Sequence, residues 1–257
     1  VGRLAAELRL IEADAGGTLG VEIFDPASGL SLGHNQDRRF GHASSFKFSL
    51  AALLLRRHAA GLIDADTHVM WSEADMMHHA PFTRERMATG ATLRELARAT
   101  QTTSDNPAAN ILLRKLGGPA GLTAFWRSIG DEVSRVDRYE PEMNLVPTGE
   151  FRDTATPAAM ARNVAKIIYG DVLPDAERAE LKGWMIETQT GVRRVRAGLP
   201  EGWVAGDKTG TSGMVGTEGN YIDIGFAEGP KGQPPITFAH TKIIRRQNIH
   251  PLQAVNQ

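Results

Sequence analysis

The sequence predicts an α/β (α+β) protein in which one sheet is assembled from the two ends of the chain and an all-helical lobe is inserted between them. Three observations carry this. Strand-like segments lie near residues 18–33 and return after residue 203. The stretch between them, from about Ser44 to Leu181, is mostly helical in its spacing. A chain of 257 residues also has enough length to bury a substantial core, as one large domain or as two lobes sharing a cleft. The expected division is 1–36 plus 186–257 for the sheet lobe and 37–185 for the helical lobe.

Taken in order, Leu4, Leu8 and Ile11 share one helical face, so the chain opens with a helix ending near Gly16-Gly17. Thr18 to Phe24 is a strand, Asp25-Pro26-Ala27-Ser28-Gly29 a turn, and Leu30 to Gly33 a return strand, which together predict a hairpin. Helices follow at Phe46–Ala60, Thr92–Thr100, Pro107–Leu116, Gly121–Ile129 and Thr156–Ile168. Strand character resumes at Trp203–Thr209, Tyr221–Phe226 and Pro235–Ala239, separated by glycine-rich turns. No internal repeat, low-complexity tract or linker interrupts this plan.

Composition narrows the chemistry. A formal net charge of -1 gives no reason to expect nucleic acid or an anionic membrane as partner. With no cysteine, a disulfide, a thiolate nucleophile or a cysteine-ligated metal is impossible. The longest apolar run, Phe48 to Leu55, is too short to span a bilayer and is bracketed by Lys47 and Arg56, so it reads as a buried helix. The first residues begin an amphipathic pattern without signal-peptide organisation, as in a cytoplasmic protein or one numbered after removal of a leader. His78-His79 is the one histidine cluster, and no zinc-type spacing accompanies it, so no metal and no cofactor are expected.

Three short motifs stand out: Ser44-Ser45-Phe46-Lys47, Ser104-Asp105-Asn106 and Lys208-Thr209-Gly210. Lys47 lies one turn beyond Ser44 on the same helix face. Alone, the pair reads as an N-cap serine and a solvated lysine. The apolar helix that follows changes that, because it would bury Lys47 at an uncompensated cost unless the amine had a role. A serine hydroxyl needs a base to take its proton, and a desolvated lysine can serve.

Ser104-Asp105-Asn106-Pro107 reads structurally as a loop-to-helix boundary with proline in the first turn. Functionally, Ser104 would turn a second hydroxyl toward Lys47, Asn106 would offer its amide to substrate, and Asp105 would hold the loop. Asn110 reads as a loop anchor. Lys208 closes a strand, where a lysine is ordinarily just solvated. The Lys208 ammonium and Thr209 hydroxyl nevertheless form a seat for a carboxylate, and Gly210 would let a ligand approach the backbone closely. The N–H of Thr211 would pair with that of Ser44 as an oxyanion hole.

This motif set, already known as a pattern, resembles that of the serine β-lactamases and penicillin-binding proteins. More closely, it resembles class A β-lactamases, because Arg138-Tyr139-Glu140-Pro141-Glu142-Met143-Asn144 is similar to the Ω-loop of that class and Arg152 to Pro157 to its far end. The resemblance covers nearly the whole chain, to about Ala239. It implies a two-lobe fold, an antiparallel sheet flanked by helices, and an active site in the cleft between the lobes.

It further implies that Ser44, Lys47, Ser104 and Glu140 are catalytic and that Glu140 with Asn144 holds a hydrolytic water. Arg138 would pair with Asp153 to close the loop. Asn106, Asn144, Lys208, Thr209, Gly210, Thr211 and Arg194 would bind substrate, with Arg194 beside its carboxylate. The implied activity is hydrolysis of the β-lactam amide of penicillins and cephalosporins through a serine acyl-enzyme, giving antibiotic resistance. The implied setting is a periplasmic or secreted monomer whose partner is a small-molecule β-lactam, with neither nucleic acid nor membrane.

Some departures matter. Carbapenem-hydrolysing members commonly join the position before the serine to the position after the threonine by a disulfide. Arg194 and Thr211 fall where such enzymes often carry those residues, but the two linked positions are here Ala43 and Ser212, which weighs against carbapenem hydrolysis. Ser212 also resembles a change associated with oxyimino-cephalosporin hydrolysis. His79 occupies a gatekeeper position that is usually aromatic, and should stack there more weakly than Trp or Tyr. The chain stops soon after His250 to Val255, enough for a turn or two where the family carries a longer closing helix. A D,D-peptidase and a penicillin-sensing module would share the acylation half of the chemistry, but both are disfavoured by Glu140 with Asn144.

Overall fold

The opening helix and hairpin form as the spacing predicts. In the computed structural model, which describes residues 2–213, 218–230 and 232–245, α1 spans Gly2–Asp14, β1 Gly17–Phe24 and β2 Ser31–His34. The Asp25 carboxylate accepts from the N–H of Ala27 at 2.8 Å, and the Asp25 N–H closes the turn on the Leu30 carbonyl at 2.9 Å. Short aspartate-side-chain bonds of this kind favour a turn over continued strand. The turn or two expected over 250–255 lies outside the described residues.

A short strand β3 (Phe40–Gly41) leads into α2 (Phe46–Ala59), which is buried without interruption from Phe46 to Leu55. A helix that is apolar all round must be surrounded, and α2 is packed by the helices that follow. Arg56, Arg57 and His58 fill its last turn, where cations complement the helix dipole. Next come β4 (His68–Val69), α3 (Pro81–Glu85), β5 (Ala91–Thr92), α4 (Leu93–Thr102), α5 (Asn106–Lys115) and α6 (Gly118–Ser128). The Thr92 hydroxyl and Glu95 carboxylate form a reciprocal capping box at the start of α4. Asp105 caps α5 by accepting from the Ala108 N–H at 2.9 Å, with Pro107 in its first turn.

Beyond β6 (Thr154–Ala155), α7 (Pro157–Tyr169) packs against β1 and, beyond it, the last strand of the sheet. Then α8 runs Asp175–Glu187, beyond the expected end of the helical stretch at Leu181. Gly183 weakens the helical signal there, but Leu181, Trp184 and Met185 are buried, and that packing outweighs the glycine's cost. The strands β7 (Val204–Thr211), β8 (Glu218–Glu228) and β9 (Ile236–Arg245) complete an antiparallel five-stranded sheet in the order β2-β1-β9-β8-β7. The last two are longer than expected because β9 is central. It pairs with β1 from Thr237 to Ile244 and with β8 over nearly its full length. The mixed architecture, with a sheet drawn from both ends of the chain and helices inserted between, is the one the sequence predicts. Among the described residues no helix is long and apolar enough to cross a membrane.

Candidate active site

Ser44 sits in a single 3-10 turn, Ala43–Ser45, immediately before α2, rather than at the helix cap. Ala43 has φ 41, and the His42 carbonyl accepts from both the N–H of Ser45 at 3.0 Å and its hydroxyl at 2.8 Å. The turn is pressed onto β7. A Cβ placed on Gly210 would meet the His42 oxygen at 2.7 Å and the Ser44 nitrogen at 3.0 Å. This revises one expectation: the close approach that Gly210 permits in the structure is that of the serine turn.

Lys47 is fully buried. Its ammonium donates to the Ser104 carbonyl at 2.8 Å and to Oδ1 of Asn106, and stands 3.4 Å from Oε1 of Glu140. Burial pushes its pKa down, with the Glu140 charge opposing. Lys208, also fully buried, donates to Oγ of Ser104 at 3.0 Å and to the Thr209 carbonyl at 2.7 Å. Its pKa lies well below the ordinary lysine value, first because of burial and then because Lys47 is near.

Here too the structure corrects an expectation. The Ser104 hydroxyl pairs with Lys208, while Lys47 takes the Ser104 carbonyl. Ser104 adopts a left-handed backbone, φ 65, in a turn whose next residue, Asp105, is pinned by the N–H groups of Phe82 and Thr83 at 3.0 and 2.9 Å. Asp105 therefore holds the loop, as expected. Asn106 is engaged at both ends of its amide, with Nδ2 donating to the His78 carbonyl at 3.0 Å.

The loop that carries Glu140 is fastened on two sides. Asn110 grips its backbone, accepting from the Glu140 N–H at 3.0 Å and donating to the Glu140 carbonyl at 2.8 Å, so it does anchor the loop. Asp153, fully buried, accepts from the N–H groups of Asp137 at 2.7 Å and Arg138 at 3.0 Å and pairs with Nε of Arg138 at 2.5 Å. The Glu140 side chain is buried. Its Oε2 accepts from Nδ2 of Asn144 at 2.5 Å, while Oε1 makes no hydrogen bond and faces Lys47.

The opposite wall is made by the end of β7 and by Arg194. The guanidinium donates to the Ile222 carbonyl at 2.8 Å and to the Thr211 hydroxyl at 2.7 Å, and lies 5.7 Å from the centroid of the Tyr221 ring. The hydroxyls of Thr209 and Thr190 hydrogen-bond at 2.6 Å. A cleft of about 740 Å³ opens here, lined among others by Ser44, Ser104, Asn106, Asn144, Arg194, Thr209 and Thr211. Lys47, Glu140 and Lys208 lie buried behind that lining. The volume suits a small molecule.

Thr190, Tyr221 and His78 also line the cleft. Sequence reasoning missed all three, because none lies in a motif; only the long-range bond to Thr209 brings Thr190 in. His79 lines the mouth as expected, but its Nε2 lies 2.8 Å from the Thr103 carbonyl. Ser212 is buried, and its hydroxyl accepts from the Asn220 N–H at 2.9 Å. Among the described residues there is no group of three or more histidine or acidic side chains able to hold a metal. Two hydroxyls, two amines with depressed pKa values and a buried carboxylate are a set suited to moving protons around an acyl transfer.

The chain is similar to known proteins over most of its length. Residues 3–251 match a model of the Beta-lactamase enzyme family. The chain is 46% identical to β-lactamase FAR-1 of Nocardia farcinica over 89% of its own length and 72% of that protein's. It is 40% identical to the carbapenem-hydrolyzing β-lactamase KPC of Klebsiella oxytoca, covering 93% of this chain and 81% of that protein. The solved structure of an ancestral class A β-lactamase superimposes with a TM-score of 0.90 at 42% identity, covering 96% of this chain and 93% of that one.

Proposed function

From the premise that the chain belongs to the β-lactamase enzyme family, and within it to class A, we propose the chemistry that follows. The protein is a serine hydrolase that opens the β-lactam amide of penicillins and cephalosporins through a covalent acyl-enzyme and so confers antibiotic resistance. The observation that carries this reading is the buried approach of Lys47 to Glu140 at 3.4 Å, an amine whose pKa burial lowers beside a carboxylate whose Oε1 makes no hydrogen bond.

The substrate carboxylate docks on Thr209 and Arg194, in front of the buried Lys208 amine, and the lactam carbonyl oxygen between the N–H groups of Ser44 and Thr211. Gly210 is the contact that keeps those two donors close. Asn106 faces the substrate's amide side chain. Ser44 attacks the lactam carbonyl while its proton passes to Lys47, or to Glu140 through a water. The C–N bond of the ring breaks, and its nitrogen takes a proton through Ser104, which Lys208 holds by its hydroxyl. Glu140, steadied by Asn144, then takes a proton from water as that water attacks the acyl carbon. The ester bond to Oγ breaks, the proton held by Glu140 passes to that oxygen, and Ser44 is restored.

Chromogenic cephalosporin tests this directly. Catalytic turnover, lost in Ser44→Ala, is the expected result; a single stoichiometric burst with no turnover would point instead to a penicillin-sensing module or a D,D-peptidase. We further propose the lobe division at 1–36 plus 186–257 and 37–185, a monomeric state, and a periplasmic or secreted location. The hydrolysis of carbapenems by relatives such as KPC is not carried over, because the Ala43 and Ser212 positions hold no cysteine pair.

A further inference from the structure

Next to the serine turn, at His42, Ser45 and Phe46, lies a much smaller cavity of about 10 Å³. Its polar lining includes His42, Trp126 and Ser134, and its apolar wall includes Phe46, Met160 and Ile224. All three polar residues are buried, and Nε2 of His42, Nε1 of Trp126 and Oγ of Ser134 have no protein partner in good hydrogen-bond geometry, although the Ser134 hydroxyl lies near enough to Asp131 to stabilise its carboxylate. Each of these buried polar atoms needs a partner, since buried donors and acceptors are paired almost without exception, and the cavity their residues share is where one could sit.

They do not supply that partner to one another through the rings. His42 and Trp126 stack face to face, with centroids 5.0 Å apart and planes 9° from parallel. Ring nitrogens bond in their own plane, so two stacked rings present their N–H and lone-pair directions side by side and not toward each other. A third body at the shared edge can serve both. The cavity has the volume of about one water-sized sphere, and a buried water needs about two to four polar partners. Here it has three.

We propose that this cavity is a binding site for a single structural water, which accepts from the Trp126 indole N–H and donates to Nε2 of His42 and Oγ of Ser134. That assignment uses one lone pair and both protons of the water and satisfies every orphaned atom on the wall. It leaves His42 neutral, in agreement with the depression of its pKa by burial to about 4. It also gives the backbone of the serine turn a fixed support. The His42 carbonyl that receives both Ser45 donors is anchored through a ring braced by the water on its edge and by Trp126 on its face. The site is separate from the hydrolytic water assigned to Glu140, which belongs to the cleft.

Two measurements on the native protein test the proposal. A high-resolution crystal structure is expected to show one discrete density peak within hydrogen-bond distance of all three atoms. Water-selective NOE and ROE spectra are expected to show a long-lived water at the Trp126 indole N–H, whose resonance is assigned by its loss in Trp126→Phe. Ser134→Val places a methyl group where the hydroxyl was and is expected to abolish both signals while circular dichroism stays native. A cavity without density, an indole N–H silent toward water, or a peak that survives Ser134→Val would each overturn the assignment.

Discussion

Nζ of Lys47 lies 3.4 Å from Oε1 of Glu140, and both side chains are buried. A buried amine and a buried carboxylate at that separation are each costly alone, so each is retained because of the other or because of what they do together. The remaining lone pairs and protons are spent on the catalytic loops: Lys47 reaches the Ser104 carbonyl and Asn106, and Glu140 receives Asn144.

Glu140→Ala is expected to separate the two half-reactions. Loss of a general base typically costs on the order of 10²–10⁴ in rate, and here the loss should fall on release of the acyl group. The Glu140 charge raises the pKa of Lys47, so its removal leaves the amine more readily neutral and able to take the Ser44 proton. Intact-protein mass after mixing with penicillin should show a persistent acyl adduct. Rapid, complete turnover by the variant would remove Glu140 from deacylation.

Gly210→Ala is expected to damage acylation. The new Cβ would sit 2.7 Å from the His42 oxygen and 3.0 Å from the Ser44 nitrogen, both backbone atoms, so β7 and the serine turn must part. Overpacking of this kind costs about 1–3 kcal/mol, and displacing one oxyanion donor costs about 10²–10³ in rate. Stopped-flow acylation together with thermal unfolding checks both; native acylation in the variant would show that the turn does not need this contact.

Asp153→Ala is expected to slacken the Glu140 loop. It strands two backbone N–H groups and the Arg138 guanidinium, at a cost of about 3 kcal/mol and a Tm drop of roughly 6–12 °C. Deacylation should fall more than acylation, because Glu140 rides on this loop and Ser44 does not. Equal losses in the two rates would argue for general destabilisation.

Acid stability should carry the signature of His42. Burial depresses its folded-state pKa from 6.5 to about 4, so as pH falls through that interval the unfolded chain binds a proton that the folded one does not. The stability contribution is therefore fully present above about 6.5 and is lost as pH falls toward 4, on the order of 3 kcal/mol in all. His42→Phe, which keeps a ring against Trp126, should flatten that part of a denaturation-versus-pH curve. An unchanged slope would assign the acid loss to other groups.

Much of this molecule was legible in the chain. Helix and strand segments followed from spacing and from turn residues such as Asp25 to Gly29, and most residues of the cleft stood in motifs at fixed local separations. The exceptions have physical causes. The end of α8 was hidden by Gly183, whose cost is outweighed by the burial of Trp184 and Met185. Thr190 and Tyr221 belong to no motif and enter the cleft through contacts made only after β7, β8 and the Arg194 segment come together.

The sequence by itself determined which groups are present and in what local order: a serine one turn from a lysine, a loop glutamate, a strand-end lysine and threonine. Tertiary structure alone decided their state. It set Ser104's hydroxyl on Lys208 and its carbonyl on Lys47, closed Gly210 onto the serine turn, and removed both lysines from water. The reason is that local spacing is a property of the backbone, whereas desolvation and long-range pairing depend on elements far apart in the chain that meet only when it folds.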